Sequence, residues 1–261
     1  MPISTEGRIP FIVGEEGFET YYKVVGDLAG CAHGPLVVLH GGPSISHDYL
    51  IPLADLTERS PSRAVILYDQ LSSGQSTRLR TKDISFWTID LFIAELENLL
   101  DFFGVTECFN ILGHSWGGTL ASEFITRPGL PDAGTTKTAE YKAAMMVFWA
   151  KHGCRVQPFP PEFLHSISLP DEDSTVLDAM RNGSVGLGTR WDITDRIPLM
   201  RHVPTLIING EHDMMDDSVC GPFFRGIDRV KWVKFAHSSH SPQWEERDRY
   251  IDVVGGFLDQ V

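Results

Sequence analysis

Asn110-Ile111-Leu112-Gly113-His114-Ser115-Trp116-Gly117-Gly118 decides how the rest of this sequence is read. The apolar run Cys108 to Leu112 predicts a buried strand, Gly113 breaks it, and a helical stretch, Thr119 to Thr126, follows Gly117-Gly118. Gly113-x-Ser115-x-Gly117 is the pattern of a nucleophile elbow, a turn so tight that its serine is strained and its neighbours must be small. Such a turn lifts the Ser115 hydroxyl above the end of a sheet, at a helix N-terminus. There the helix dipole and open N–H groups favour developing negative charge. A strand-to-helix turn that merely contains a serine shares the pattern. The decision therefore rests on whether the chain supplies a base, an acid and a second oxyanion donor in the right order.

Working outward, strands and helices alternate. Glu6 to Val13 and Glu19 to Val25, around Gly14-Glu15-Glu16-Gly17, predict an antiparallel hairpin. Leu36 to Leu39 and Ala64 to Tyr68 are continuous apolar runs, as in strands buried on both faces. Tyr49 to Leu56 predicts a short helix. From Thr88 to Phe103, Leu91, Ala94, Leu96, Leu99, Leu100 and Phe103 recur at helical spacing, and Gly104 closes the helix. After Leu130 the stretch Pro131 to Thr136 is turn-rich, Ala139 to His152 predicts a helix, and Pro158 to Pro161 breaks it. From there to Gly188 the pattern is mixed and poorly periodic. Thr205 to Asn209 and Val230 to Phe235 restore strands, and a helix over Trp244 to Val261 presents Tyr250, Val253, Val254, Phe257 and Leu258 to the core. This alternation predicts an α/β chain with a mostly parallel sheet and helices on both faces.

Composition narrows the partners. The 261 residues suffice for one large α/β domain, and a net charge of −13 argues against nucleic acid or an anionic membrane as partner. Cys31, Cys108, Cys154 and Cys220 lie far apart with no C-x-x-C pair, which reads as free thiols in a reducing compartment. The N-terminus lacks the apolar core of a signal peptide, and the most apolar window, Ala143 to Ala150, is too short to span a bilayer. A cytoplasmic location is expected, and the oligomeric state is left open.

Serine needs a base, and the base an orienting acid, with both expected in loops after the last strands. Asp213 follows the strand Thr205 to Asn209, and His240 follows Val230 to Phe235. Asp216 is a reserve acid. The oxyanion hole needs the N–H of the residue after the nucleophile, Trp116, and a second N–H from the turn after the first buried strand. His40-Gly41-Gly42-Pro43 is that turn, and Gly42 is the expected donor, with His40, Gly41 and Trp149 expected at the substrate. A zinc site from His212, Asp213, His237 and His240 lacks the H-E-x-x-H arrangement and has no cysteine near in sequence, so neither metal nor cofactor is expected. Gly183-x-x-Gly186-x-Gly188 follows no apolar strand and reads as a loop.

With these residues in place, the chain resembles the proline iminopeptidase family of α/β-hydrolases. The matching motifs are His40-Gly41-Gly42-Pro43, Tyr68-Asp69-Gln70 with Gly74-x-Ser76, Gly113-x-Ser115-Trp116-Gly117-Gly118, Trp191-Asp192-Ile193, Gly210-x-His212-Asp213 and Ser238-Ser239-His240. The resemblance implies an α/β-hydrolase fold with a reduced helical cap: core residues 1–130, cap 131–190 and core 191–261. It implies a Ser115–His240–Asp213 triad that releases N-terminal prolyl or other aminoacyl groups from short peptides or small amides. Five departures qualify it. Ser44 and Ser72 stand where the family usually has glycine. Met214 follows the triad aspartate, where relatives carry a glutamate for the substrate ammonium. The cap stretch Asn182-Gly183-Ser184-Val185 also lacks a glutamate. An ammonium without a carboxylate partner is poorly compensated for lost hydration, which favours, as alternatives, a neutral ester, lactone or amide substrate. Finally, Pro131-Asp132-Ala133-Gly134-Thr135-Thr136-Lys137 cannot form the buried central strand expected after the elbow helix. A strand is expected to be missing, and a non-catalytic relative is the third alternative.

Overall fold

The hairpin forms from Ser4–Val13 (β1) and Glu16–Val25 (β2), which pair antiparallel with Val13 opposite Glu16, so the loop is only Gly14-Glu15. These coordinates are a computed structural model that describes residues 3–29, 34–59, 63–126, 152–182 and 191–260. Leu36–Leu39 (β3) and Val65–Tyr68 (β4) are buried at every position, as their unbroken apolar runs require. Asn110–Gly113 (β5) is the elbow strand. The order is β1-β2-β4-β3-β5, antiparallel from β1 to β4 and parallel from β4 through β5. Among the described residues β5 ends this sheet and is only half-buried along its length.

Thr205–Gly210 (β6) and Val230–Phe235 (β7) pair in parallel as a separate two-stranded sheet. The chain divides into two compact units, Met1–Thr135 with Glu162–Trp191, and Thr136–Pro161 with Asp192–Val261.

The helix Ile89–Phe103 (α1) begins where its sequence says. Thr88 accepts from the Leu91 N–H (3.1 Å), and Gly104 closes the helix at φ 65°. Its buried stripe differs from the simple apolar pattern, for Ala94 is exposed and Glu95 is buried. The Glu95 carboxylate accepts from the Thr20 hydroxyl (2.5 Å) and the Leu71 N–H (3.0 Å), joining β2 to the loop after β4. Trp116–Thr126 (α2) starts three residues earlier than its apolar spacing suggests, because the elbow turns straight into the helix. Instead of an α-helix over Tyr49 to Leu56, His47–Asp55 winds as a 3₁₀ run around Pro52, and one α turn, Leu56–Arg59, follows.

Two helices occupy the stretch whose pattern is poorly periodic: Pro161–Glu172 (α3), with Pro170 in its last turn, and Thr175–Asn182 (α4). Asp217–Gly226 (α5) also escapes sequence reading, since Gly221-Pro222 inside it resembles a turn. Arg247–Leu258 (α6) follows a single turn, Pro242–Glu245, and buries Tyr250, Ile251, Val254 and Leu258, with Val253 and Phe257 half-buried. The helix expected over Ala139 to His152 falls, except for its last residue, outside the described residues. No helix among the described residues is long and apolar enough to cross a membrane.

Burial pushes the Glu95 carboxyl up to about 7, against the pull of its two hydrogen bonds and with help from the Asp69 charge. A raised carboxyl favours the protonated fold, so its contribution is fully present below 4.5 and is lost as pH rises through about 7. Melting temperature should therefore contain a component that falls between about pH 5 and 8 and is missing in Glu95→Gln. Parallel pH slopes for the two proteins would refute this assignment.

Candidate active site

Ser115 sits at φ 56°, in the left-handed region that side chains disfavour, and is half-buried at the junction of β5 and α2. Both flanking glycines are obligatory. A Cβ on Gly113 would lie 2.2 Å from the Gly117 carbonyl oxygen, and one on Gly117 would lie 2.1 Å from that of Leu39. The elbow thus packs its backbone directly on the end of β3. The loop after β3 is equally close: a Cβ on Gly41 would meet Ser115 Cβ at 3.0 Å and the Tyr49 hydroxyl at 3.0 Å.

In this loop the Gly41 N–H donates to the Tyr49 hydroxyl (2.8 Å), which in turn bonds His114 Nδ1 (2.8 Å). The N–H groups of Gly42, at φ 110°, and of Trp116 have no acceptor among the described residues. His40 is fully buried, and both its ring nitrogens are engaged. The Gln70 N–H donates to Nε2 (2.9 Å), so the proton resides on Nδ1, which donates to the Gly41 carbonyl (2.8 Å). Burial lowers its pKa and keeps it neutral. His40 therefore acts on a substrate only through the loop it holds. Trp149 lies outside the described residues.

A buried ion pair supports the same loop. Asp69 accepts from the His47 ring (2.8 Å), the His47 N–H (2.8 Å) and the Gln75 N–H (2.8 Å). Burial opposes the Asp69 charge, but His47 prevails and holds the carboxyl at about 2; burial likewise opposes the His47 cation, and Asp69 raises its pKa. Gly74 makes room, since a Cβ there would lie 2.0 Å from Asp69 Oδ2. Two serines take up the strain of missing glycines. Ser44 (φ 76°) accepts the Leu177 N–H of α4 on its hydroxyl (3.0 Å), and Ser72 (φ 62°) accepts the Leu79 N–H (3.0 Å).

In the other unit, His240 Nδ1 and Asp213 Oδ1 are 2.7 Å apart, with side chains only 8% and 6% exposed. Asp213 also accepts from the Met215 N–H (2.8 Å). Gly210 lets the two loops touch, because a Cβ there would meet the Ser238 and Ser239 carbonyl oxygens at 2.2 and 2.4 Å. Two carboxylates that sequence reading missed clamp the histidine loop. Glu246 accepts from the His237 N–H (3.0 Å) and the Ser238 hydroxyl (2.7 Å). Glu245 accepts from the Ser239 N–H (2.8 Å) and hydroxyl (2.6 Å). Glu245 and Glu246 lie beyond the end of β7, at the close of the single turn Pro242–Glu245, and leave no periodic signal. The reserve acid, Asp216, instead caps α5 through the Ser218 N–H (2.8 Å), and Asp217 pairs with Lys234 (3.1 Å). Asp213 and His240 bond each other, and among the described residues no group of three or more His, Cys, Asp or Glu is placed to hold a metal ion.

Replacing Gly210 by alanine should displace the His240 loop and lower turnover by about 10²-fold, as for ångström-scale misplacement of a catalytic group. Unchanged turnover in a folded Gly210→Ala protein would show that the contact tolerates a methyl group. Asp69→Asn should cost about 3–5 kcal/mol in denaturant unfolding, because it leaves a buried partner uncompensated; a loss under about 1 kcal/mol would contradict the buried pairing.

Residues 34–132 match the α/β hydrolase fold family. A proline iminopeptidase of Saccharolobus solfataricus is 32% identical, with 94% of this chain and 90% of the relative covered. One from Thermoplasma volcanium is 29% identical, covering 94% and 95%. The first alignment runs over 289 positions, more than the 261 residues here, so that relative carries residues this chain lacks. Among solved structures, VinJ matches with TM-score 0.86 and 31% identity over 100% of this chain and 99% of that one. The proline iminopeptidase of Mycobacterium smegmatis matches with TM-score 0.79 and 28% identity, over 98% of each chain. Sequence and fold agree along nearly the whole length, and the chain belongs to the proline iminopeptidase family of α/β-hydrolases.

Proposed function

We propose that this protein is a serine hydrolase that cleaves an N-terminal prolyl or other aminoacyl amide through an acyl-enzyme on Ser115. Ser115 attacks the carbonyl, His240 takes its proton and returns it to the leaving amine, and Asp213 holds the imidazole. The N–H groups of Gly42 and Trp116 receive the tetrahedral oxyanion, and water then releases the acyl group. The stretch 131–190 is assigned to the reduced cap. The observation that carries this reading is the strained Ser115 backbone, held at φ 56° by two glycines that admit no side chain. The buried Asp213–His240 bond supports it, since that bond orients an imidazole as a general base requires.

A second reading is a neutral ester, lactone or amide as substrate. Met214 replaces the carboxylate expected beside Asp213, and the acids next in line are committed elsewhere, Asp216 to a helix cap and Asp217 to Lys234.

A fluorophosphonate probe should label the protein stoichiometrically at Ser115, and Ser115→Ala should abolish labelling. A folded wild-type protein that resists the probe would sink both readings. Comparing prolyl-arylamide with its N-acylated form separates them: faster cleavage of the free amine supports the first, and faster cleavage of the acylated form supports the second.

A further inference from the structure

Gln70 follows β4, is fully buried and belongs to no triad or oxyanion role. Its side-chain amide bridges two segments. Nε2 donates to the His40 carbonyl (3.0 Å), and Oε1 accepts from the Trp116 indole N–H (2.7 Å). The orientation is dictated by chemistry, because the indole can only donate and the carbonyl can only accept. Its main-chain N–H meets His40 Nε2 (2.9 Å) and so fixes the ring tautomer. The ring then grips the Gly41 carbonyl (2.8 Å). That carbonyl shares a planar trans peptide with the Gly42 N–H, so holding one end aims the other.

We propose that Gln70 is a positioning residue of the oxyanion hole. It ties the segment carrying the Gly42 N–H to the residue carrying the Trp116 N–H and so sets their mutual geometry. The inference rests on the hydrolase reading above. The hole works only if its donors lie within hydrogen-bond distance of where the oxyanion forms, before it forms. A buried bridge satisfied at both ends supplies that rigidity, and an apolar replacement leaves one donor and one acceptor buried without partners.

The test compares wild type, Gln70→Leu and Gln70→Glu on an activated ester or arylamide. Binding of a boronic acid that mimics the tetrahedral state and of the released acid product is measured alongside. Gln70→Leu should lower kcat about 10–100-fold with KM within about 2-fold, and weaken the boronic acid in parallel while leaving product affinity unchanged. Gln70→Glu guards against a misfolded leucine variant. Its ionised carboxylate repels the His40 carbonyl, whereas its protonated form can donate to that carbonyl as the amide does. The ratio of its kcat/KM to wild type should therefore rise as pH falls. An unchanged kcat in folded Gln70→Leu, equal losses of boronic acid and product affinity, or a flat ratio for Gln70→Glu would overturn the proposal while wild-type turnover leaves the hydrolase reading standing. A wild-type protein without turnover or fluorophosphonate labelling would overturn both.

Discussion

A single backbone torsion organises the larger unit. Holding Ser115 at φ 56° costs about 1–3 kcal/mol for a residue with a side chain, and the fold keeps it only by letting main chain press on main chain. Gly113 lies against Gly117, and Gly117 against the end of β3 at Leu39. This contact is also why the loop at residues 40–42 runs beside the serine: it begins where Gly117 touches β3. The elbow and the loop after β3 are thus one packing event.

Around this contact the polar residues are spent on holding the loop. His40, His47, Asp69, Gln70 and Glu95 are all buried: His40, Asp69 and Glu95 accept loop N–H groups, Gln70 donates to the His40 carbonyl, and the His47 ring pairs with Asp69. Ser44 and Ser72 extend the pattern. Each sits at positive φ, at a strain of about 1–2 kcal/mol. Each also places a hydroxyl on a backbone N–H, a bond of about the same net worth. For Ser44 that N–H belongs to α4, so its hydroxyl joins the loop after β3 to that helix.

What was legible in the sequence follows the same division. β3 and β4 announce themselves as unbroken apolar runs, and α1 by Thr88, Gly104 and an apolar stripe. The serine, aspartate and histidine stood out because each follows a strand end in a fixed chain order. Helices α3 and α5 hid behind Pro170 and Pro222, and α4 is too short for its period to register. The buried network hid for a deeper reason. Gln70 and Glu95 look like solvated residues unless their partners, 24 to 75 positions away, are known to converge on them. The strand expected to be missing falls on Pro131 to Lys137, which lie outside the described residues.

The charges of the smaller unit bear on which substrates such a site would accept. Glu211, Asp213, Asp216, Asp217 and Lys234 line one cleft of about 280 Å³, four carboxylates against one ammonium. Field and contact are different things, however. Glu211 and Asp217 share Lys234, Asp216 caps α5, and Asp213 is bonded to His240. A field of this kind draws cations toward the cleft over a Debye length of about 8–10 Å at moderate salt, whereas a desolvated ammonium needs carboxylate oxygens to replace its water. In this cleft each of the four carboxylates already has a partner, so the charge beside Asp213 is present without a carboxylate set aside for a cation.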